Sequence, residues 1–185
     1  MKEITRDSIS INITEFGDHN YYEVLDLVDS DDAINRVFGE NVRTRFLTGK
    51  LFTIRNKEDN ELIGFANLTH ERTDSQIYFL DRGIKEKYRG KHIGTYVLDE
   101  LSKEKTFIVA ETEKSNVLSN ASLKSRAVFL EEINDRNLYL LQKERYSEFM
   151  REGHLKKIRD YRNGKQKFEY DEIKEEKGKV KKKTK

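Results

Sequence analysis

Gln76-Ile77-Tyr78-Phe79-Leu80-Asp81-Arg82-Gly83-Ile84 runs straight into Lys85-Glu86-Lys87-Tyr88-Arg89-Gly90-Lys91-His92-Ile93-Gly94-Thr95, and Ile93 to Leu101 follows. The first nine residues read as a strand. Ile93, Val97 and Leu101 recur one turn apart, a spacing that predicts a helix. The loop between them holds two glycines four apart, Gly90 and Gly94, among the cations Lys85, Lys87, Arg89 and Lys91. Glycine lets a chain turn tightly at a helix start, where unpaired N–H groups and the positive end of the helix dipole point outward together. With those cations beside it, such an end suits a pyrophosphate or polyphosphate group. Two familiar phosphate loops are excluded, because the chain contains neither Gly-x-x-x-x-Gly-Lys-Ser/Thr nor Gly-x-Gly-x-x-Gly.

Working outward, Ser8 to Phe16 alternates as a strand, with Ile9, Ile11 and Ile13 on one face. Tyr22 to Val28 and Asp32 to Leu47 carry apolar residues at helical spacing, and Ser30 with Asp31 and Asp32 supplies capping chemistry between them. Leu51 to Arg55 and Leu62 to Leu68 read as a hairpin across the polar turn Asn56 to Asn60; a second turn, Glu71 to Ser75, leads into Gln76 to Ile84. After the central helix, Thr106 to Ala110 reads as a buried strand and Ser122 to Phe129 begins as a helix. Val128 to Ile133 and Asn137 to Leu141 form a final hairpin. From Gln142 to Tyr161 the pattern predicts one amphipathic, solvent-facing helix whose Tyr and Phe side chains pack on the sheet.

At Tyr88-Arg89-Gly90-Lys91-His92-Ile93-Gly94 the sequence resembles the GNAT superfamily of acyl-CoA-dependent N-acyltransferases, whose loop is usually Tyr-Arg-Gly-Lys-Gly-Ile-Gly; His92 stands where Gly or Ala is usual. Asn116-Val117-Leu118-Ser119 is similar to the family's Asn-x-x-Ser/Ala pattern after the next strand, and the likeness spans about residues 8 to 142. The resemblance implies a mixed α/β (α+β) fold with a splayed sheet flanked by helices, opened between Gln76–Ile84 and Thr106–Ala110. Acetyl-CoA is the implied co-substrate, held by Ile84, Lys85, Arg89, Gly90, Lys91, His92, Ile93, Gly94, Thr95, Asn116 and Ser119. It also implies an N-acetyltransferase in which a neutral amine attacks the thioester, with the backbone N–H near Ile84 polarising the carbonyl. Glu111 and Asp81 are the candidate bases. In many relatives the acid is a tyrosine seven residues after the Asn; Leu123 stands there, leaving Tyr139, Tyr88 or water to take the part.

The expected organisation is an acetyltransferase domain over 1–143, a C-terminal helix over 144–162 and a disordered basic tail over 163–185. From Arg151 onward 14 Lys and Arg face 7 Asp and Glu, so a net of +7 there opposes −5 in the remainder. Such a tail attracts phosphates without regard to sequence, which makes a nucleic-acid or ribosomal partner one alternative function. A coenzyme A-binding module without turnover is another, suggested by Leu123 and His92. The acidic cluster Asp26, Asp29, Asp31 and Asp32 suits a cationic amine or ordinary helix capping, and the acceptor is either a small molecule or a protein. With no cysteine the chain has no disulfide, thiolate metal site or cysteine nucleophile, and its four histidines show no metal spacing. No signal-like or membrane-spanning run occurs, so a cytoplasmic monomer or homodimer without a metal or a membrane partner is expected.

Overall fold

The computed structural model describes residues 5–15, 17–38, 42–71 and 74–162. The tail expected over 163–185 lies outside the described residues, as does part of the turn before Gln76. Seven strands form one sheet: β1 (Ile9–Thr14), β2 (Gly49–Asn56), β3 (Leu62–Glu71), β4 (Asp74–Ile84), β5 (Phe107–Glu113), β6 (Val128–Ile133) and β7 (Arg136–Leu140), in the order β1-β2-β3-β4-β5-β7-β6. Every pairing is antiparallel except that of β4 with β5. The helices are α1 (His19–Ser30), α2 (Asp32–Phe38), α3 (Val42–Thr48), α4 (Ile93–Leu101), α5 (Val117–Arg126), α6 (Tyr146–Arg151) and α7 (His154–Arg162).

The period-two alternation of the strands distributes these helices over two faces. On one face, Tyr78, Leu80, Ile108 and Ala110 meet Ile93, Val97, Leu98 and Leu101 of α4 and Leu123 of α5 in a single core. Each fully buried aliphatic of this kind contributes about 1.5–3 kcal/mol. On the other face Phe65 and Leu51 pack against α1 to α3, while Ile77, Phe107, Val109 and Leu140 pack against Phe149, Leu155 and Ile158 of α6 and α7.

Three expectations change. The long helix predicted over Asp32 to Leu47 is two, α2 and α3. The single helix predicted from Gln142 is also two, because Gly153 takes φ +74° and breaks it. Its first residue lies outside both helices and against β5 instead: Gln142, fully buried, accepts the Ile108 N–H on its side-chain oxygen at 2.9 Å. The pair α6–α7 faces the core as much as solvent, since Phe149 and Ile158 are both 0% exposed. Third, Ile13 is exposed although Ile9 is buried on the same strand. The helix layer reaches only the start of this edge strand, where Arg6 bonds Asp99 of α4.

Candidate functional site

β4 and β5 pair over only four residues, Ile77 to Leu80 against Phe107 to Ala110. Beyond Leu80 the two strands part, because β5 keeps its hydrogen bonds to β7 through Glu111, Thr112 and Glu113 while β4 stays with β3. Lys85 N–H donates to Ile63 O at 2.9 Å. Successive N–H groups of a strand point to opposite edges, so those of Ile84 and Arg82 are directed away from β3 into the opening. A cleft fills it, walled by Leu80 and Ala110 at its base, by Asp81 and Glu111 on one side and by Asn116 and Ser119 of α5 on the other.

The Lys85 to Gly94 loop closes one end. Gly90 takes φ +77° with open space where a Cβ would stand, and His92 takes φ +57° as the residue before α4. That His92 adopts a left-handed conformation explains why glycine suits the position; its imidazole is exposed and caps nothing. The α4 N-terminus therefore has no side-chain cap, and its first-turn N–H groups remain available. The cations of the loop are mostly committed. Lys85 and Lys87 pair with Glu61, and burial with this ion-paired carboxylate holds Tyr88 in place, its hydroxyl donating to Glu61. Arg89 makes two 2.7 Å bonds to Asp31 and a third, at 2.9 Å, to Ile84 O. Asp31 also accepts the Ile34 N–H, so this member of the acidic cluster caps α2 and anchors the loop. Burial alone would raise the Asp31 carboxyl, but the Arg89 hydrogen bonds and charge, together with the backbone N–H groups of Ile34 and Ala33, outweigh it and hold the group below the usual carboxylate range. Among the described residues Lys91 is the loop cation with no carboxylate partner; it lies over the Tyr88 ring.

Residues 18–123 match the model of the acetyltransferase (GNAT) family, more than half of the chain. The chain belongs to the GNAT acetyltransferase family. Its fold is similar to that of spermidine N-acetyltransferase from Vibrio cholerae (TM-score 0.54, 11% identity, 77% of this chain and 98% of that one). A GNAT family acetyltransferase from Elizabethkingia anophelis with acetyl-CoA bound gives TM-score 0.52 at 17% identity, over 73% and 98% of the two chains. The aminoglycoside acetyltransferase AAC(6')-Ib, in complex with coenzyme A and kanamycin, gives 0.55 at 14%, over 78% and 98%. At these identities the likeness is one of fold. No curated protein matches by sequence.

The GNAT loop and opening fit a coenzyme A thioester on their own terms: an uncapped helix start beside an unobstructed Gly90 for the pyrophosphate, and a slot between separated strands for the pantetheine arm. Asn116 and Ser119 line the slot, and Asn116 also caps α5 by accepting the Ser119 N–H at 3.1 Å. Thr95 Oγ1 stands 3.5 Å from Ser122 Oγ and ties α4 to α5. Asp81 and Glu111 are brought together on the cleft rim. Asp81 bonds Arg45 of α3 at 3.0 Å, while Glu111 is held by Arg162 at 3.0 Å and Arg136 at 3.4 Å. Burial pushes the Asp81 carboxyl up, only partly opposed by Arg45, and the Glu111 charge pushes the same way.

Tyr139, in contrast, is not at the cleft. It is fully buried and its hydroxyl donates to Asn120 Oδ1 at 2.9 Å, behind α5; Tyr88 is likewise committed to Glu61. Neither presents a free hydroxyl to a leaving thiolate. Arg45, Arg136, Arg162 and Arg82, all at or beside the rim, went unread in the sequence. Only Arg82 gave a signal, as the charged residue that breaks the alternation Tyr78, Leu80 on the core face. Among the described residues no three His, Asp or Glu side chains gather to hold a metal, and no helix is long and apolar enough to cross a membrane.

Proposed function

We propose that the protein is an N-acetyltransferase that moves the acetyl group of acetyl-CoA to an amine by direct attack. The observation that carries this is the continuity of the uncapped, glycine-bearing α4 start with the opening between β4 and β5, whose far rim holds a carboxylate with a raised pKa. The amine nitrogen forms a bond to the thioester carbonyl carbon and the C–S bond breaks, its electron pair leaving with sulfur. The backbone N–H groups facing the opening hydrogen-bond the carbonyl oxygen as its charge builds. Asp81 is the better placed proton acceptor: burial makes it more basic, while Glu111 is tied to two guanidinium groups. Arg45 positions Asp81 from the α3 side, so the amine enters from the face that carries α1 to α3.

The test is a panel of polyamines, aminoglycosides, amino acids and peptides incubated with acetyl-CoA, with release of free coenzyme A thiol as the readout. Turnover of one class, lost in Asp81→Asn, supports the reading. Hydrolysis at the rate of the blank across the panel, from protein that binds acetyl-CoA, would favour a coenzyme-binding module without turnover.

A further inference from the structure

The cleft contains a guanidinium that pairs with no carboxylate among the described residues. Arg82 follows Leu80 on the core face of β4, one step beyond the last residue paired with β5. Its Nη1 donates to Gly94 O in the first turn of α4 at 2.7 Å, and among the described residues that neutral carbonyl is its one hydrogen-bond partner. A Cβ built on Gly94 would come within 2.9 Å of the same nitrogen, so the helix start and the guanidinium are in tight contact. Burial depresses the Arg82 pKa to about 10, and the half-buried side chain has no carboxylate beside it among the described residues. The other guanidinium lining the cleft, Arg136, pairs with Glu111 and Glu113. A half-buried cation that faces a neutral carbonyl alone is incompletely satisfied, and an anion entering the cleft is attracted to it.

The position of Arg82 says which anion. The strands join at Leu80 and Ala110, and the helix start that suits the pyrophosphate lies at the open end, so the thioester end of the arm lies toward the junction. Arg82 lies two residues beyond that junction, and its side chain reaches from there to the first turn of α4, lining the cleft together with Leu80, Ala110 and Leu123. The α5 wall there is Leu123, which is apolar and 1% exposed, and the nearby α4–α5 contact is Thr95 with Ser122. We propose that Arg82 is a catalytic residue, its guanidinium pairing with the coenzyme A thiolate as the C–S bond breaks. The inference rests on the acetyl-transfer reading. In the step the amine proton goes to Asp81, the sulfur leaves with the electron pair of the broken bond, and Arg82 keeps its own protons. The thiolate takes a proton from solvent once the product leaves, and Arg82 returns to its bond with Gly94 O.

The experiment uses coenzyme A itself as the probe. The thiolate of coenzyme A bound to saturating wild type, Arg82→Lys and Arg82→Met is titrated by its ultraviolet absorbance, and acetyl-CoA affinity is measured by calorimetry on each. A cation in contact lowers a thiol pKa by about one pH unit or more, so wild type is expected to hold roughly tenfold more thiolate than free coenzyme A at a given pH. Arg82→Lys retains most of that shift and Arg82→Met loses it. With an acceptor in hand, Arg82→Met lowers kcat by about 100-fold while the KM for acetyl-CoA stays within about threefold, the signature of a group used in the transition state alone. Wild type that binds acetyl-CoA with an unshifted thiol, or a shift that survives in Arg82→Met, overturns the role of Arg82 and leaves the acetyl-transfer reading standing. Wild type that binds no acetyl-CoA overturns both.

Discussion

Asn120 joins the two halves of the fold behind the cleft, and its removal has a computable cost. Its side-chain nitrogen donates to Glu113 O at 2.8 Å and Asn116 O at 2.9 Å; its oxygen accepts from Asn137 at 2.8 Å and from the Tyr139 hydroxyl at 2.9 Å. Asn137 is half-buried and finds water when the bond is lost, but Tyr139 is 0% exposed and has no such recourse. An orphaned buried hydroxyl costs about 1–3 kcal/mol, and the remaining bonds add roughly 1 kcal/mol, so Asn120→Ala is expected to cost about 2–4 kcal/mol. Tyr139→Phe alone removes one neutral bond, about 0.5–1.5 kcal/mol. In the double variant no hydroxyl is left unpaired, which makes the two changes couple by about 1–2 kcal/mol. Urea unfolding of the four proteins at equal m-values gives the cycle directly. Additivity within about 0.5 kcal/mol would refute the orphaned-hydroxyl argument. The same Tyr139→Phe protein carries a kinetic test: kcat within about threefold of wild type agrees with a structural tyrosine, whereas a loss of about 100-fold would restore Tyr139 as the acid.

Phe149→Ala empties a site at 0% exposure that meets the Phe107 ring edge-on at 5.2 Å; the expected cost of about 3–5 kcal/mol lowers Tm by roughly 6–20 °C. A Tm within about 2 °C of wild type would show that α6 and α7 are an appendage after all. Asp74 predicts an acid limit. Burial alone would raise its carboxyl, but bonds from Lys157 at 2.7 Å and His154 at 2.6 Å outweigh that and hold it below the usual range. A depressed folded pKa contributes stability that is complete above the unfolded value and is lost as pH falls through the folded one. The urea midpoint is therefore expected to hold from neutral pH down to about pH 5 and to fall below about pH 4. In Asp74→Asn the wild-type share of that fall should vanish, and an unchanged acid limb would contradict the assignment.

The strand, loop and helix that border the opening between β4 and β5 were legible because they follow from local rules. Strand alternation, the Gly90 turn and the Ile93, Val97, Leu101 spacing each act over a few residues, and all three agree with the structure. The bend of β5 toward β7 was legible only as a consequence of the resemblance. What could not be read is what depends on pairing at long range. Arg89 looked like a phosphate ligand from its neighbours in the loop, yet its partner, Asp31, is 58 residues away. Tyr139 carried the right hydroxyl, and nothing in its own strand announces that Asn120 consumes it. Arg82 breaks the alternation of its strand, but that it bonds a neutral carbonyl and no described carboxylate had to be seen. The break at Gly153 was visible as a glycine, but a glycine inside a helical pattern is tolerated often enough that its φ had to be seen.

Calorimetric titration with acetyl-CoA, run on wild type, Gly90→Ala and Gly90→Glu, is the direct test of the coenzyme site. Gly90 has open space around the position of a Cβ, so alanine adds only the strain of φ +77°, about 1–2 kcal/mol, while glutamate adds a carboxylate at the proposed pyrophosphate position. Micromolar binding by wild type, largely kept in Gly90→Ala and lost in Gly90→Glu, is the expected result. Binding that is absent in wild type, or equally strong in Gly90→Glu, would mean that the α4 start is a helix start and nothing more.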